Sequence, residues 1–142
     1  MKVDKELINI RVDIIEKNLK EIRKIVNEGK EKYLKNYRNQ LAAKHALLES
    51  IEACIDIGNH IIASLGFRRP EDYRDVFVIL EENKIIPKGL SKNLQDMARF
   101  RNLLVHHYTK IDENKIFSIL KEDVKDIPKF IRIVLKNLEK KD

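Results

Sequence analysis

The chain has 142 residues, 43% of them hydrophobic and 37% charged, with a net charge of +6. That size fits one domain, here residues 1–142, with a single core, and the apolar fraction excludes intrinsic disorder. Four glycines and three prolines leave few turns for the short strands of a sandwich or small barrel, so long helices are expected.

The first helix is predicted from about Asp4 to Glu28. Ile8, Val12, Ile15, Leu19, Ile22 and Val26 step by four and three and form one apolar stripe. Val3, Leu7, Ile10 and Ile14 form a second stripe beside it, and Gly29 is a plausible end point. A second helix is predicted from Tyr37 to Leu65, stopping at Gly66. Leu47, Ile51, Cys54, Gly58, Ile61 and Leu65 make one of its stripes; Leu41, Leu48, Ile55 and Ile62 make another. Such a helix belongs at the centre of the fold. Between its apolar stripes runs a polar one, His45, Glu49, Glu52, Asp56 and His60. Two readings fit it: an ordinary solvent face, or a cleft wall carrying Glu52 or Asp56.

A third helix is predicted from about Glu71 to Asn83, with Pro70 suited to its first turn and Val76, Phe77, Ile79 and Leu80 inside. Ile85 to Gly89 reads as a loop, and Ser91 as the cap of a fourth helix burying Leu94, Met97, Ala98, Leu104 and Val105. The last segment starts near Asp112. It carries Ile116, Ile119, Leu120, Val124, Ile127, Ile131, Val134 and Leu138 at helical spacing, with Pro128 splitting it and Asp126 placed to cap the second piece. The expected fold is all-α, a bundle of about four to six helices.

The lone cysteine, Cys54, sits in an apolar run and reads as a small core residue. No Cys/His set has metal-ligand spacing, so neither a metal nor another cofactor is expected. The N-terminus lacks the apolar stretch of a signal peptide, and no run approaches a membrane span, so a cytoplasmic location is expected. The positive excess permits a polyanionic partner without demanding one.

The fourth helix ends in Arg99-Phe100-Arg101-Asn102-Leu103-Leu104-Val105-His106-His107-Tyr108. Histidine moves protons near neutral pH, and arginine holds a phosphate through two parallel hydrogen bonds. Together they suffice to break a phosphodiester without metal. At about 100° per residue, a straight helix aligns Arg101 with Tyr108, and Asn102 with His106. Arg101 and His106 stand about 140° apart on that helix. Loosening near His106, long side chains or a second subunit would each close the gap. The alternative is structural, since cationic residues at a helix C-terminus bond its last carbonyls.

Arg101-Asn102-Leu103-Leu104-Val105-His106-His107-Tyr108 resembles the Arg-Asn-x-x-Val-His-x-Tyr motif of the HEPN superfamily, specifically the HepT-like toxins. Ile51 to Ala63 is similar to that family's second-helix signature. Pro70 to Phe77, followed by Leu80, is similar to its third. Order and spacing agree from about residue 40 to 120.

The resemblance implies a homodimeric HEPN-like bundle that cleaves RNA without metal at a cleft between subunits, as the toxin of a type II or VII-like toxin–antitoxin pair. It implies Arg101 and His106 as the catalytic pair. It also implies a nucleotidyltransferase antitoxin of the MntA type that adenylylates Tyr108. In such a mechanism His106 takes the 2′-hydroxyl proton or supplies one to the leaving 5′-oxygen, and Arg101 stabilises the phosphorane. DNA, which lacks the 2′-oxygen, would not be cut. Asn102 is a candidate to orient the imidazole, and Glu52 or Asp56 to support Arg101 or His106. His107, at the variable position, leaves open which histidine acts. Lys92, Arg99 and Lys110 are candidates to guide RNA, or are ordinary surface charges. The competing function is a non-catalytic HEPN-like module that binds a nucleotidyltransferase or a nucleotide through the same basic helix end.

Overall fold

The computed structural model describes residues 3–106 and 111–140. Among these residues the chain forms α1 (Lys5–Asn27), α2 (Lys30–Lys35), α3 (Tyr37–Leu65), α4 (Tyr73–Glu82), α5 (Lys88–His106), α6 (Glu113–Lys121) and α7 (Asp126–Lys140). A 3-10 turn, Asp123–Lys125, joins the last two. No strand occurs among the described residues. Six of these helices are the elements expected from apolar spacing, and the six-residue α2 is an addition to them. No helix among the described residues is long and apolar enough to cross a membrane.

α1 starts where Asp4 caps it, its carboxylate accepting from the N–H groups of Glu6 at 3.0 Å and Leu7 at 3.2 Å. The stripe from Ile8 through Ile22 is buried, and in the last turn Ile25 enters the core where Val26 was expected. The second stripe is only half covered, and Ile10 is exposed. α3 ends at Gly66, whose φ of 72° is left-handed. There Phe67 N–H reaches the Ile62 carbonyl at 3.0 Å and closes the helix end.

α3 is the central helix, touching α1, α2, α4, α5, α6 and α7. α1 lies antiparallel along it, as the polar pairs on their shared edge show. Glu28 accepts from Asn39, Asn18 donates to Glu49, Arg11 pairs with Asp56, and His60 Nε2 accepts from the Asp4 N–H. Much of the expected polar stripe of α3 therefore runs along its edge with α1, pairing across it while His45, Glu49 and Asp56 stay exposed. The other stripe splits: Ile55 and Ile62 are buried, Leu48 is half-buried and Leu41 is exposed.

α4 packs tightly on α3 at Gly58, since a Cβ built there would meet Val76 Cγ1 at 2.5 Å. Phe77 of α4 meets Phe130 of α7 edge-on at 5.7 Å, and Tyr33 of α2 meets Phe117 of α6 at 5.4 Å. The buried Tyr33 hydroxyl donates to Glu113 at 2.7 Å. Burial, and then that bond, raise the phenol above its ordinary range. Lys44 closes the same cluster by pairing with Glu113. Cys54 is in the core, where burial pushes its thiol up to about 12.

Several boundaries differ from expectation. Ser91 does not cap α5. The helix starts at Lys88, the Ser91 N–H reaches the Pro87 carbonyl at 3.0 Å, and the buried Ser91 hydroxyl donates to Phe77 O at 3.0 Å. The stretch read as a loop thus ends at Pro87, and its Ile85 and Ile86 are core residues. Pro70 stands ahead of α4, where Asp72 is the cap and accepts from the Asp75 N–H at 2.7 Å. Val105 is half-buried. Asp126 is the first residue of α7, with Pro128 tolerated in its first turn.

Candidate active site

Arg101 projects from the C-terminal half of α5 into the junction with α3 and α4. Its Nη2 donates to Glu52 Oε2 of α3 at 2.9 Å, and its Nη1 donates to Asn102 Oδ1 at 3.3 Å. Its guanidinium carbon lies 4.6 Å from the centre of the Tyr73 ring, at the start of α4. A charged group, an amide and an aromatic ring from three helices thus hold one plane. The Arg101 side chain is only 16% exposed, against 43% for Glu52. With its carboxylate end open to solvent the ion pair contributes little stability, and the cation–π contact adds about 0.5–1 kcal/mol, so the arrangement fixes geometry more than it stabilises the fold. Each terminal nitrogen keeps a second N–H beyond those bonds.

The start of α4, and with it Tyr73, is framed by Arg68. Its guanidinium takes Asp75 through bonds of 2.8 and 2.9 Å and Glu82 through bonds of 2.9 and 3.1 Å. The bonds from Arg68 hold both carboxylates below their usual range.

α5 stays α-helical through His106. Arg101 and His106 therefore keep the separation of about 140° that a regular helix imposes. His106 is exposed, while Arg101 turns inward to α3. Asn102 lies one helical turn before His106 and on its face, and its amide oxygen bonds Arg101. Of the two acids proposed from the polar stripe, Glu52 reaches Arg101. Asp56, about one turn further along, turns to Arg11 at 3.2 Å. Arg99 is exposed, 3.6 Å from Asp96. Lys92 is exposed near the other end of α5, about 21 Å along the helix from His106. His107, Tyr108 and Lys110 lie outside the described residues.

Two participants escaped sequence reasoning. Tyr73 stood inside the third-helix signature, but nothing in its spacing ties it to Arg101. Arg11 had no feature separating it from other basic residues of α1. Among the described residues no group of three or more His, Cys, Asp or Glu is placed to hold a metal ion.

The chain is 28% identical over 129 residues to a Shewanella oneidensis protein described as an mRNA nuclease HepT, covering 91% of this chain and 96% of that protein. It is 27% identical over 130 residues to an Aphanizomenon flos-aquae protein described as a tRNA nuclease HepT, covering 92% and 88%. A solved structure described as the tri-AMPylated HEPN toxin of Shewanella oneidensis in complex with MNT antitoxin superposes with a TM-score of 0.86 at 28% identity, covering 92% of this chain and 97% of that one. The sequence profile described as ribonuclease HepT-like matches residues 15–134. A match that runs from the middle of α1 into α7 shows that this chain belongs to the HepT-like ribonuclease family.

Proposed function

We propose that the protein is an endoribonuclease toxin that cleaves RNA without a metal, at a cleft completed by a second copy of the chain. The observation that carries this reading is Arg101. Its guanidinium is held by Glu52, Asn102 and Tyr73, one helical turn and a fraction before an exposed histidine. A guanidinium fixed before substrate arrives, with N–H groups to spare, suits a phosphate whose charge grows in the transition state.

In the reaction, the RNA 2′-oxygen attacks the adjacent phosphorus and the 5′-oxygen leaves. The products are a 2′,3′-cyclic phosphate and a 5′-hydroxyl. His106 removes the 2′-hydroxyl proton or protonates the leaving oxygen, and Arg101 stabilises the phosphorane. One imidazole does not serve as acid and base in a single step, so a dimer that supplies two makes chemical sense. The same dimer would bridge the angular gap between the two residues. Asn102, on the His106 face and bonded to Arg101, would couple their orientations.

A relative solved as an AMPylated HEPN toxin in complex with MNT antitoxin supports a nucleotidyltransferase partner for this chain too. By the motif resemblance, Tyr108 is the acceptor of adenylyl groups. Such a group brings bulk and a negative phosphate to the residue two places beyond His106. It would exclude RNA and compete for the arginine the reaction needs.

The test is cleavage of a defined RNA in EDTA by protein shown by intact mass to carry no adenylyl group. Wild type should cut and leave a cyclic phosphate, and a substrate with a 2′-deoxy nucleotide at the cut site should survive. Arg101→Ala and His106→Ala should each lose about a hundredfold to a thousandfold in rate. Inert wild type, or variants that cut as well as it does, would sink the reading. Inert wild type that still binds a nucleotidyltransferase would point to the non-catalytic module.

A further inference from the structure

Where the start of α4 meets α5 and Asn59 of α3, next to the Tyr73 and Asn102 that touch Arg101, lies a cleft of about 590 Å³. That is within the range of pockets that hold small organic ligands. Its apolar floor includes Val76 and Ala98, both 1% exposed. Its walls offer the Tyr73 ring and the carboxamides of Asn59 and Asn102. Arg74 and Arg99 on its rim are offset by Glu71 and Asp72, so net charge does not distinguish this cleft. What remains is an aromatic surface, apolar floor and two amides, the combination that recognises a nucleobase by stacking and by its polar edge.

The position of the cleft is as informative as its lining. Ala98, Asn102 and His106 follow one another at four-residue steps on a single face of α5, so the cleft floor leads along that face to the histidine. Tyr73 is shared: it lines the cleft and lies under the Arg101 guanidinium, yet stays 41% exposed. A phosphate held by Arg101 therefore has this cleft as its neighbour on the Tyr73 side.

We propose that the cleft is the subsite for a nucleoside flanking the scissile phosphate, with Tyr73 as its stacking platform and Asn59 and Asn102 reading the base edge. The inference rests on the ribonuclease reading for its substrate class. It assigns Tyr73 a second role, as a positioning residue that couples base binding to the arginine. Specificity for the flanking base then arises within one chain, apart from the subunit cleft where the phosphate is cut.

The experiment is a cycle that crosses a protein change with a substrate change. Full-length His106→Ala protein, chosen so that cleavage is slow on the time of the titration, is titrated with a fluorescent single-stranded RNA, and with RNAs carrying one abasic nucleotide at each position in turn. The same series is run with Tyr73→Leu and Tyr73→Phe added. At one position the missing base should weaken binding about tenfold to a hundredfold, Tyr73→Leu should weaken intact RNA by a similar factor, and the two losses should not add. Tyr73→Phe should bind like the parent, because the ring persists. Asn59→Ala, which does not touch Arg101, should change which base is preferred at that position.

Additive losses at every position, or Tyr73→Leu binding intact RNA as well as the parent does, overturn the subsite. Cleavage by unsubstituted wild type is measured alongside. RNA that is cut while the losses add keeps the ribonuclease reading and discards the subsite. RNA that is bound with non-additive losses but never cut keeps the subsite and discards the ribonuclease reading.

Discussion

A guanidinium set between a carboxylate, an amide and an aromatic ring has few orientations left, and the chemistry proposed for Arg101 depends on that restriction. Glu52→Gln keeps an acceptor but removes the charge that draws Nη2 to it. Because Glu52 is nearly half exposed, the lost interaction is about 1 kcal/mol, so kcat should fall about fivefold to tenfold while KM for RNA stays level or drops. Steady-state kinetics that show a rise in KM alone would assign Glu52 to substrate contact instead. Asp123 offers a separate test of local electrostatics. Burial, and then its neighbours Asp126, Glu122 and Asp96, raise its carboxyl above the usual range. For an acid whose folded pKa is raised, ionisation opposes folding, and stability is lost as pH climbs from the unfolded value through the folded one. Asp123→Asn should therefore raise Tm slightly at pH 7, with the gain vanishing in acid; a gain that persists in acid would refute the electrostatic cause. At this scale Arg101 and His106 were legible because their residue types crowd a short stretch of one helix. Glu52 was half legible, since its three-and-four spacing picked out a stripe without saying which member met the arginine. Tyr73 was not legible, because only the tertiary approach of α4 to α5 puts it under Arg101.

Between elements, the tight point is Gly58 against Val76. A methyl group at Gly58 enters the space of a buried, β-branched side chain, and helix α4 must shift to admit it. Gly58→Ala should cost about 1–3 kcal/mol, read by urea unfolding, and Gly58→Ala with Val76→Ala should lose less than the two single changes sum to. Simple addition would mean that the helices do not press on each other there. Val76 also floors the cleft beside Tyr73, so the same change would disturb the site through α4 rather than through any catalytic group. Helix extents were largely readable from apolar spacing and from stop signals such as Gly66. Ser91 misled because a serine near a helix start looks like a cap. The start is set instead by Pro87, and the serine is drawn inside by the Phe77 carbonyl. The short α2 was missed because six residues give too little periodicity to see.

Across the whole molecule, regular helix geometry in α5 keeps Arg101 and His106 on different faces, and this favours a site shared between copies. His106→Ala protein mixed with wild type should depress activity by more than its share of the mixture, because a common cleft that needs two imidazoles is one short in every heterodimer. Activity that falls only in proportion to the share of variant would mean that each chain builds its own site. The all-helical fold was legible from composition and spacing together. Whether any face meets a second copy was not, because nothing in a pattern of buried residues separates such a face from one that meets water.

The Arg101–Glu52 pair has a consequence for ionic strength. A guanidinium already matched by a carboxylate brings little net charge to an incoming phosphate, and so displaces few of the cations condensed on RNA. Binding through this pair should depend on salt much less than binding through the solvated lysines that give the chain its positive excess. Capture of RNA from a distance and grip on the phosphate that breaks are then separable properties: the first fades as salt rises, and the second persists.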